Sequence, residues 1–129
     1  MDTIGDFLTR IRNAQAAKHE KVDVPASNVR QGVAKVLQEQ NYITSFKVVK
    51  DSKQGMMRVY LKYDEVGKPV ISRLKRYSRP SRREYVRASD IPNIRAGYGL
   101  AILSTSRGIM SGGQAKDQNV GGELLCVVW

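Results

Sequence analysis

The hydrophobic pattern changes period along the chain, and each change marks an element. Ile4, Phe7, Leu8 and Ile11 recur at helical spacing, so one apolar stripe predicts a first helix running to about Ala17, with Asp2 as its N-cap. Its other faces carry Arg10, Arg12 and Asn13, which suit either a solvated surface or phosphate contact. Val22, Val24 and Pro25 predict a short strand that the proline ends. Ser27 then opens a second helix. Its buried stripe is Val29, Val33, Val36 and Leu37, its outward face carries Arg30 and Lys35, and Asn41 stops it by tolerating the left-handed conformation. In 56–63 the period becomes two: Met57, Val59, Leu61 and Tyr63 alternate with Arg58, Tyr60 and Lys62, as in a strand with one wet face. A strand over 43–50, joined to it by a turn at 51–55, completes an α-β-α-β-β unit.

The stretch Asp64-Glu65-Val66-Gly67-Lys68-Pro69 ends the alternation and is the expected linker. Beyond it, 70–77 and 84–87 predict two strands of a hairpin around the turn Ser78-Arg79-Pro80-Ser81. A helical turn near Ser89-Asp90-Ile91-Pro92 and a Gly97-Tyr98-Gly99 segment lead to the apolar run Leu100 to Leu103. That run delivers three hydroxyl residues, Ser104, Thr105 and Ser106, to a strand end, where Gly108 allows a sharp turn. Ser111 and Gln114 have capping-box spacing for a short helix that Asn119 closes. Gly112 and Gly113 weaken it, each costing about 0.8 to 1 kcal/mol against alanine in a helix interior and less at its start. The closing run Leu124 to Trp129 is apolar and β-rich, and pairing beside the first strand brings Gly121, Gly122 and Glu123 next to the hydroxyl loop. The fold class that follows is α+β in two small lobes. Residues 1–66 form an α-β-α-β-β lobe, and residues 67–129 form a mainly β lobe with one short helix.

Charge separates the halves. The 129 residues carry a net charge of +10 with 41% hydrophobic content, which describes a folded chain suited to a polyanion. Basic residues number eleven against eight acidic up to Val66, and eleven against four from Gly67 onward. The densest run is Lys68, Arg73, Lys75, Arg76, Arg79, Arg82, Arg83 and Arg87, with Glu84 its only acid and Tyr77 and Tyr85 between the arginines. Guanidinium forks bind phosphate and stack on bases, and tyrosine stacks or hydrogen-bonds, so the combination suits RNA. The hydroxyl-glycine site is uncharged, and there a base edge or ribose can approach the backbone closely. The same hydroxyls can instead satisfy backbone groups of their own turn.

Other chemistries find little footing. A serine nucleophile at Ser104 or Ser106 needs a positioned base, and the only histidine, His19, sits in a remote loop. Gly121-Gly122 lacks the spacing and lysine of nucleotide-binding loops. The lone Cys126 lies in an apolar run as an inert thiol, and no metal or cofactor is implied. No apolar run has transmembrane length, no secretory signal opens the chain and no glycine follows Met1 for acylation. A membrane partner is therefore not expected, and the cytoplasm is.

The chain resembles the family of the bacterial eighth protein of the small ribosomal subunit. The residues that carry the resemblance are Leu8-Thr9-Arg10-Ile11-Arg12-Asn13, Val24-Pro25-Ala26-Ser27, Ser78-Arg79-Pro80, Ser104-Thr105-Ser106-Arg107-Gly108-Ile109-Met110 and Gly121-Gly122-Glu123-Leu124, in that order from Asp2 to Trp129. The resemblance implies a two-lobed protein that binds an irregular helix in the central domain of 16S rRNA, supports subunit assembly beside neighbouring small-subunit proteins, and represses translation of its own operon mRNA. It implies base and ribose contacts from Ser104, Thr105, Ser106, Gly122 and Glu123, with Tyr85 beside them, and a phosphate contact from Arg30. Arg76, Arg79, Arg82, Arg83, Arg87 and Arg107 complete the expected phosphate set. Glu123 is expected to orient the Ser-Thr-Ser loop. The chain departs from the family at Thr3, where proline is usual, at Gly112-Gly113, where a charged helix-forming pair is common, and at Asn119, where glycine is usual. A less stable last helix is the expected result. The competing expectation is a non-specific basic RNA or DNA chaperone, for which net charge alone would suffice.

Overall fold

The structure, a computed structural model, describes residues 3–50, 55–94 and 99–129. Helix α1 (Thr3–Ala16), strand β1 (Lys21–Pro25), helix α2 (Asn28–Glu39) and strands β2 (Ile43–Val49) and β3 (Met56–Leu61) come first. They build an antiparallel three-stranded sheet in the order β1-β3-β2. Met57, Val59 and Leu61 of β3 are buried beneath Arg58 and Tyr60, so the alternation positions one wet face as expected. The expected N-cap of α1, Asp2, and most of the turn 51–55 lie outside the described residues.

The second sheet holds β4 (Leu74–Arg76), β5 (Tyr85–Val86), β6 (Leu100–Thr105), β7 (Gly108–Ser111) and β8 (Gly122–Val128). Its order is β4-β8-β6-β7, with β5 also on β8. A 3-10 turn at Ala88–Asp90 precedes β6, and the six-residue α3 (Gly112–Asp117) follows β7. Of the segment Gly97-Tyr98-Gly99, only Gly99 is described.

Local chemistry explains the boundaries. The Ser27 hydroxyl accepts from the Arg30 amide at 3.1 Å and caps α2, and Asn41 at φ 65° ends it. Ser111 and Gln114 close a full capping box on α3, and Asn119 at φ 54° stops that helix. The segment 64–69 is a tight turn. The Asp64 carboxylate accepts from the amides of Val66 and Lys68 at 3.0 and 2.8 Å, and Tyr63 bridges to Pro69.

Three sequence expectations are corrected. The segments 70–77 and 84–87 do not pair with each other. Pro80 cannot extend a ladder, and a single bridge, Arg79 to Arg82, closes the turn. Both segments pair instead with β8, β4 against Cys126 to Val128 and β5 against Gly122 and Glu123, because that apolar strand offers an edge long enough for both in series. In α2, Val29 is 40% exposed, whereas Arg30 is 6% exposed and faces inward. Arg30 donates to the Pro25 carbonyl at 3.0 Å and pairs with Asp6 at 3.5 Å, which ties α2 to β1 and α1.

One apolar core joins the two sheets. Phe7 and Ile11 of α1, Val33 and Leu37 of α2, and Val59 of β3 pack in the same cluster as Ile102 and Cys126 of the second sheet. A smaller cluster, with Leu103, Met110, Ala115 and Leu124, fills the other face of that sheet beneath α3. Helix α2 sits on β7 so closely that a Cβ at Gly32 would lie 2.7 Å from the Ile109 side chain. The second sheet is thus held between two hydrophobic layers, and its β6–β7 turn is presented from a rigid base.

Candidate nucleic-acid interface

Strand register assembles the centre of the site. Ser104 of β6 pairs with Glu123 of β8, and Glu123 pairs with Tyr85 of β5. Directly paired residues of antiparallel strands share a sheet face with Cβ atoms about 5 Å apart. A hydroxyl, a carboxylate and a phenol therefore stand in one row, and Thr105, Gly122 and Val86 form the next row with side chains to the opposite face. Gly122 leaves no room for a side chain between the two strands: a Cβ there would overlap the Ser104 carbonyl oxygen. Gly121 is equally tight against the backbone of Val86.

The three hydroxyls have different fates. Thr105 Oγ1 donates to the Gly108 carbonyl at 2.7 Å and accepts from the Arg107 amide at 3.1 Å, so it holds the turn together. Gly108, at φ 107°, takes the backbone conformation that the reversal needs. Among the described residues, the Ser104 and Ser106 hydroxyls have no hydrogen-bond partner, with Ser106 exposed at the tip and Ser104 half-buried. Arg107 reaches Gln118 at 3.4 Å and links the tip to the end of α3.

Glu123 does not orient the Ser-Thr-Ser loop, which corrects the sequence expectation. Its carboxylate accepts from the Ser78 hydroxyl and from Arg83 Nη1, the latter at 3.0 Å, so it anchors the basic turn instead. Ser78 is wholly buried, and its hydroxyl also accepts from the Glu84 amide at 3.3 Å. Burial alone would raise the Glu123 pKa. The hydrogen bonds from Ser78 and Arg83, with the charges of Arg83 and Arg76, outweigh that and hold it below its ordinary 4.5.

Around this centre lie the cations. Arg79, Arg82, Arg83, Arg87 and Arg107 are exposed, while Arg76 is half-buried beside Glu123 and Cys126. Arg79 and Arg82 exchange backbone hydrogen bonds at 3.0 Å in both directions, which fixes the turn through Pro80 and Ser81. Tyr85 is 71% exposed, an aromatic face presented to solvent. A cleft of about 200 Å³ holds Ser104, Glu123, Arg83 and Pro80 together, with Ile4 and Val29 in its wall. Arg30 is not brought into this constellation, being held at its own brace. The residue that sequence reasoning missed is Ser78. Its signals were a place in the Ser78-Arg79-Pro80 block and a serine ahead of an Arg-Pro turn, a position where hydroxyls often bond nearby backbone.

The remaining candidates offer no reactive group. Burial pushes the Cys126 thiol up to about 12, too high for a thiolate nucleophile at neutral pH. No group of three or more His, Cys, Asp or Glu that could hold a metal occurs among the described residues. No helix among them is long and apolar enough to cross a membrane. What the arrangement can do is bind: two free hydroxyls beside an anchored carboxylate, the exposed Tyr85 ring, and a rim of guanidinium groups.

The family model described as ribosomal protein S8 matches residues 2–129. A small ribosomal subunit protein uS8 from Bdellovibrio bacteriovorus is 62% identical over 129 residues, covering 100% of both chains. The protein of the same name from Geotalea uraniireducens is 51% identical over 128 residues, 99% of this chain and 97% of the relative. That from Streptococcus thermophilus is 48% identical with the same coverage.

Proposed function

The chain belongs to the ribosomal protein S8 family, and on that premise we propose that it is a structural protein of the cytoplasmic small ribosomal subunit that recognises an irregular helix in the central domain of 16S rRNA. The family is one of structural proteins and not of enzymes. The observation that carries the reading is the pair of unpartnered hydroxyls, Ser104 and Ser106, inside a rim of exposed arginines. Regular A-form RNA keeps its base edges in a groove too narrow for side chains, so sequence-specific recognition needs splayed bases. Ser104 and Ser106 supply free hydroxyls to such bases and Tyr85 offers a ring for stacking, while Gly122 serves the site by letting β8 close against the Ser104 backbone. Arg79, Arg82, Arg83, Arg87 and Arg107 take phosphates, with Arg76 closer to the base row. Arg30 is assigned to the brace between α1, α2 and β1 and not to phosphate.

The same site would take an mRNA element shaped like the rRNA helix, which is the basis for repression of its own operon, and neighbouring small-subunit proteins complete its partners. Ser106→Ala tests the recognition half of this account. Removal of one hydroxyl that bonds only to RNA is expected to weaken the cognate stem-loop roughly three- to tenfold, on the scale of about 1 kcal/mol per hydrogen bond. Affinity for an arbitrary duplex of equal length should change by less than about twofold. Equal losses on both RNAs would leave only a non-specific basic chaperone.

A further inference from the structure

We propose that the RNA track continues beyond the hydroxyl row into a groove between α1 and β4, where Arg12, Arg73 and Lys75 take backbone phosphates of the same RNA. The inference rests on the RNA-binding reading above and extends it to a wall built by the first helix.

Two adjoining cavities form the groove. One, of about 460 Å³, is lined by Arg12, Gln15, Ile71, Ser72, Arg73 and Leu74. The other, of about 580 Å³, has Thr9, Arg12, Leu74, Lys75 and Arg79 in its lining. Arg12 and Leu74 line both, which makes the cavities neighbours. Arg76 lines the second cavity and also the cleft that contains Ser104 and Glu123. Arg76 therefore borders both, and the groove along α1 lies beside the cleft that holds Ser104.

Charge along the groove itself is one-sided, and Glu123 lines only the cleft on the other side of Arg76. No carboxylate lines either groove cavity, and no described carboxylate pairs with Arg12, Arg73 or Lys75. Arginines elsewhere on the first lobe are neutralised by neighbours, Arg10 by Asp6 at 3.1 Å and Arg58 by Asp23 at 2.8 Å. Arg12 is pinned across the groove by a 2.7 Å bond from Nη2 to the Leu74 carbonyl. That bond fixes its position and leaves its charge uncompensated, with further N–H groups for an acceptor. Lys75 lies 5.1 Å from the centre of the Tyr77 ring, so an aromatic face borders the cation.

Length fits a nucleic-acid strand. From Gly5 to Gln15 the α1 wall spans about 15 Å, and the facing wall from Ser72 to Arg76 spans about 13 Å. That length accommodates a short run of backbone phosphates from one strand. An RNA anchored at the hydroxyl row supplies those phosphates at high local concentration, which an independent acidic peptide would not.

The test is the salt dependence of binding to a central-domain stem-loop, measured for the parent, the double variant Arg73→Gln/Lys75→Gln, Arg12→Gln, Arg12→Lys and Ser106→Ala. Each lost phosphate contact lowers the slope of log K against log salt by about 0.7 to 0.9, so the double variant should be shallower by about 1.4 to 1.8. Arg12→Gln should remove about 0.7 to 0.9, and Arg12→Lys should restore the parent slope. The double variant alters two exposed side chains, so it decides the matter even where Arg12→Gln disturbs folding. An unchanged slope in the double variant, with Ser106→Ala still weakened, would overturn the groove and leave the RNA site standing. No change in any variant would remove both. Loss of binding to anionic phospholipid vesicles with the RNA slope intact would overturn the proposal in favour of lipid headgroups.

Discussion

Gly122→Ala is expected to lower stability by about 3 kcal/mol and to abolish specific RNA binding with it, since overpacking against backbone leaves little room for relaxation. A Cβ at this position would overlap the Ser104 carbonyl oxygen and lie 3.0 Å from its carbonyl carbon and 3.1 Å from Thr105 Cα. All three atoms belong to the backbone of β6, so no side chain can swing aside. Relief requires β6 and β8 to separate, which would undo the pairings of Ser104 with Glu123 and Thr105 with Gly122. Strand β5 would be disturbed as well, because Gly122 also pairs with Val86. Gly113→Ala is the informative contrast. The nearest atom to its Cβ would be Ser111 Oγ at 4.0 Å, and alanine in the first turn of α3 is expected to be neutral or stabilising by a few tenths of a kcal/mol. Urea unfolding of both variants, with cognate affinity beside it, checks the pair. A Gly122→Ala protein as stable as its parent would show that β6 yields, contrary to the packing argument.

The second large effect is expected at Glu123, where simple charge counting and the observed hydrogen bonds make opposite forecasts. Glu123→Ala raises net positive charge beside the arginine rim, so attraction alone would tighten every RNA. Yet the carboxylate is only 16% exposed and anchors the buried Ser78 hydroxyl and Arg83. Its loss leaves a buried hydroxyl without its acceptor, a cost of about 1 to 3 kcal/mol, and releases the turn that carries Arg79, Arg82 and Arg83. We expect cognate stem-loop affinity to fall about tenfold or more, while arbitrary duplex is bound as tightly as before or more tightly. Tightening on both RNAs would contradict the anchoring role. Glu123→Gln adds a pH signature. A carboxyl whose folded pKa lies below its unfolded value contributes stability above the unfolded pKa and loses it as pH falls through the folded one. With Glu123 depressed below 4.5, the parent should lose more stability than Glu123→Gln as pH falls from about 5 toward 3.

Much of this architecture was legible in the residues because local chemistry decided it. The stripe of Phe7, Leu8 and Ile11, the cap at Ser27, the alternation through Met57, Val59 and Leu61 and the capping box of Ser111 with Gln114 each needed only near neighbours. What failed depended on distant partners. Nothing near Arg30 says that Pro25 and Asp6 will enclose it, because the brace forms only when α1, β1 and α2 come together. The hairpin around Pro80 was locally plausible and lost to β8, whose apolar edge accommodates both flanking segments. Glu123 was legible as a site residue, but its partners Ser78 and Arg83 lie 45 and 40 residues away in sequence, and no periodicity encodes that meeting. Thr105 resolved an ambiguity the sequence left open, since its hydroxyl serves the turn while Ser104 and Ser106 keep theirs available.

The central claim is a division of labour, with phosphate contacts supplying attraction and the Ser104 row supplying recognition. Its most direct test is the affinity of the unmodified protein for an irregular central-domain 16S rRNA stem-loop and for a fully paired duplex of equal length, each across a series of salt concentrations. The account predicts parallel lines of log K against log salt, separated by a constant offset of at least about tenfold in favour of the stem-loop, because salt acts on the phosphate contacts and leaves the recognition term unchanged. Coincident lines would contradict it and reduce the protein to a basic surface that holds any RNA.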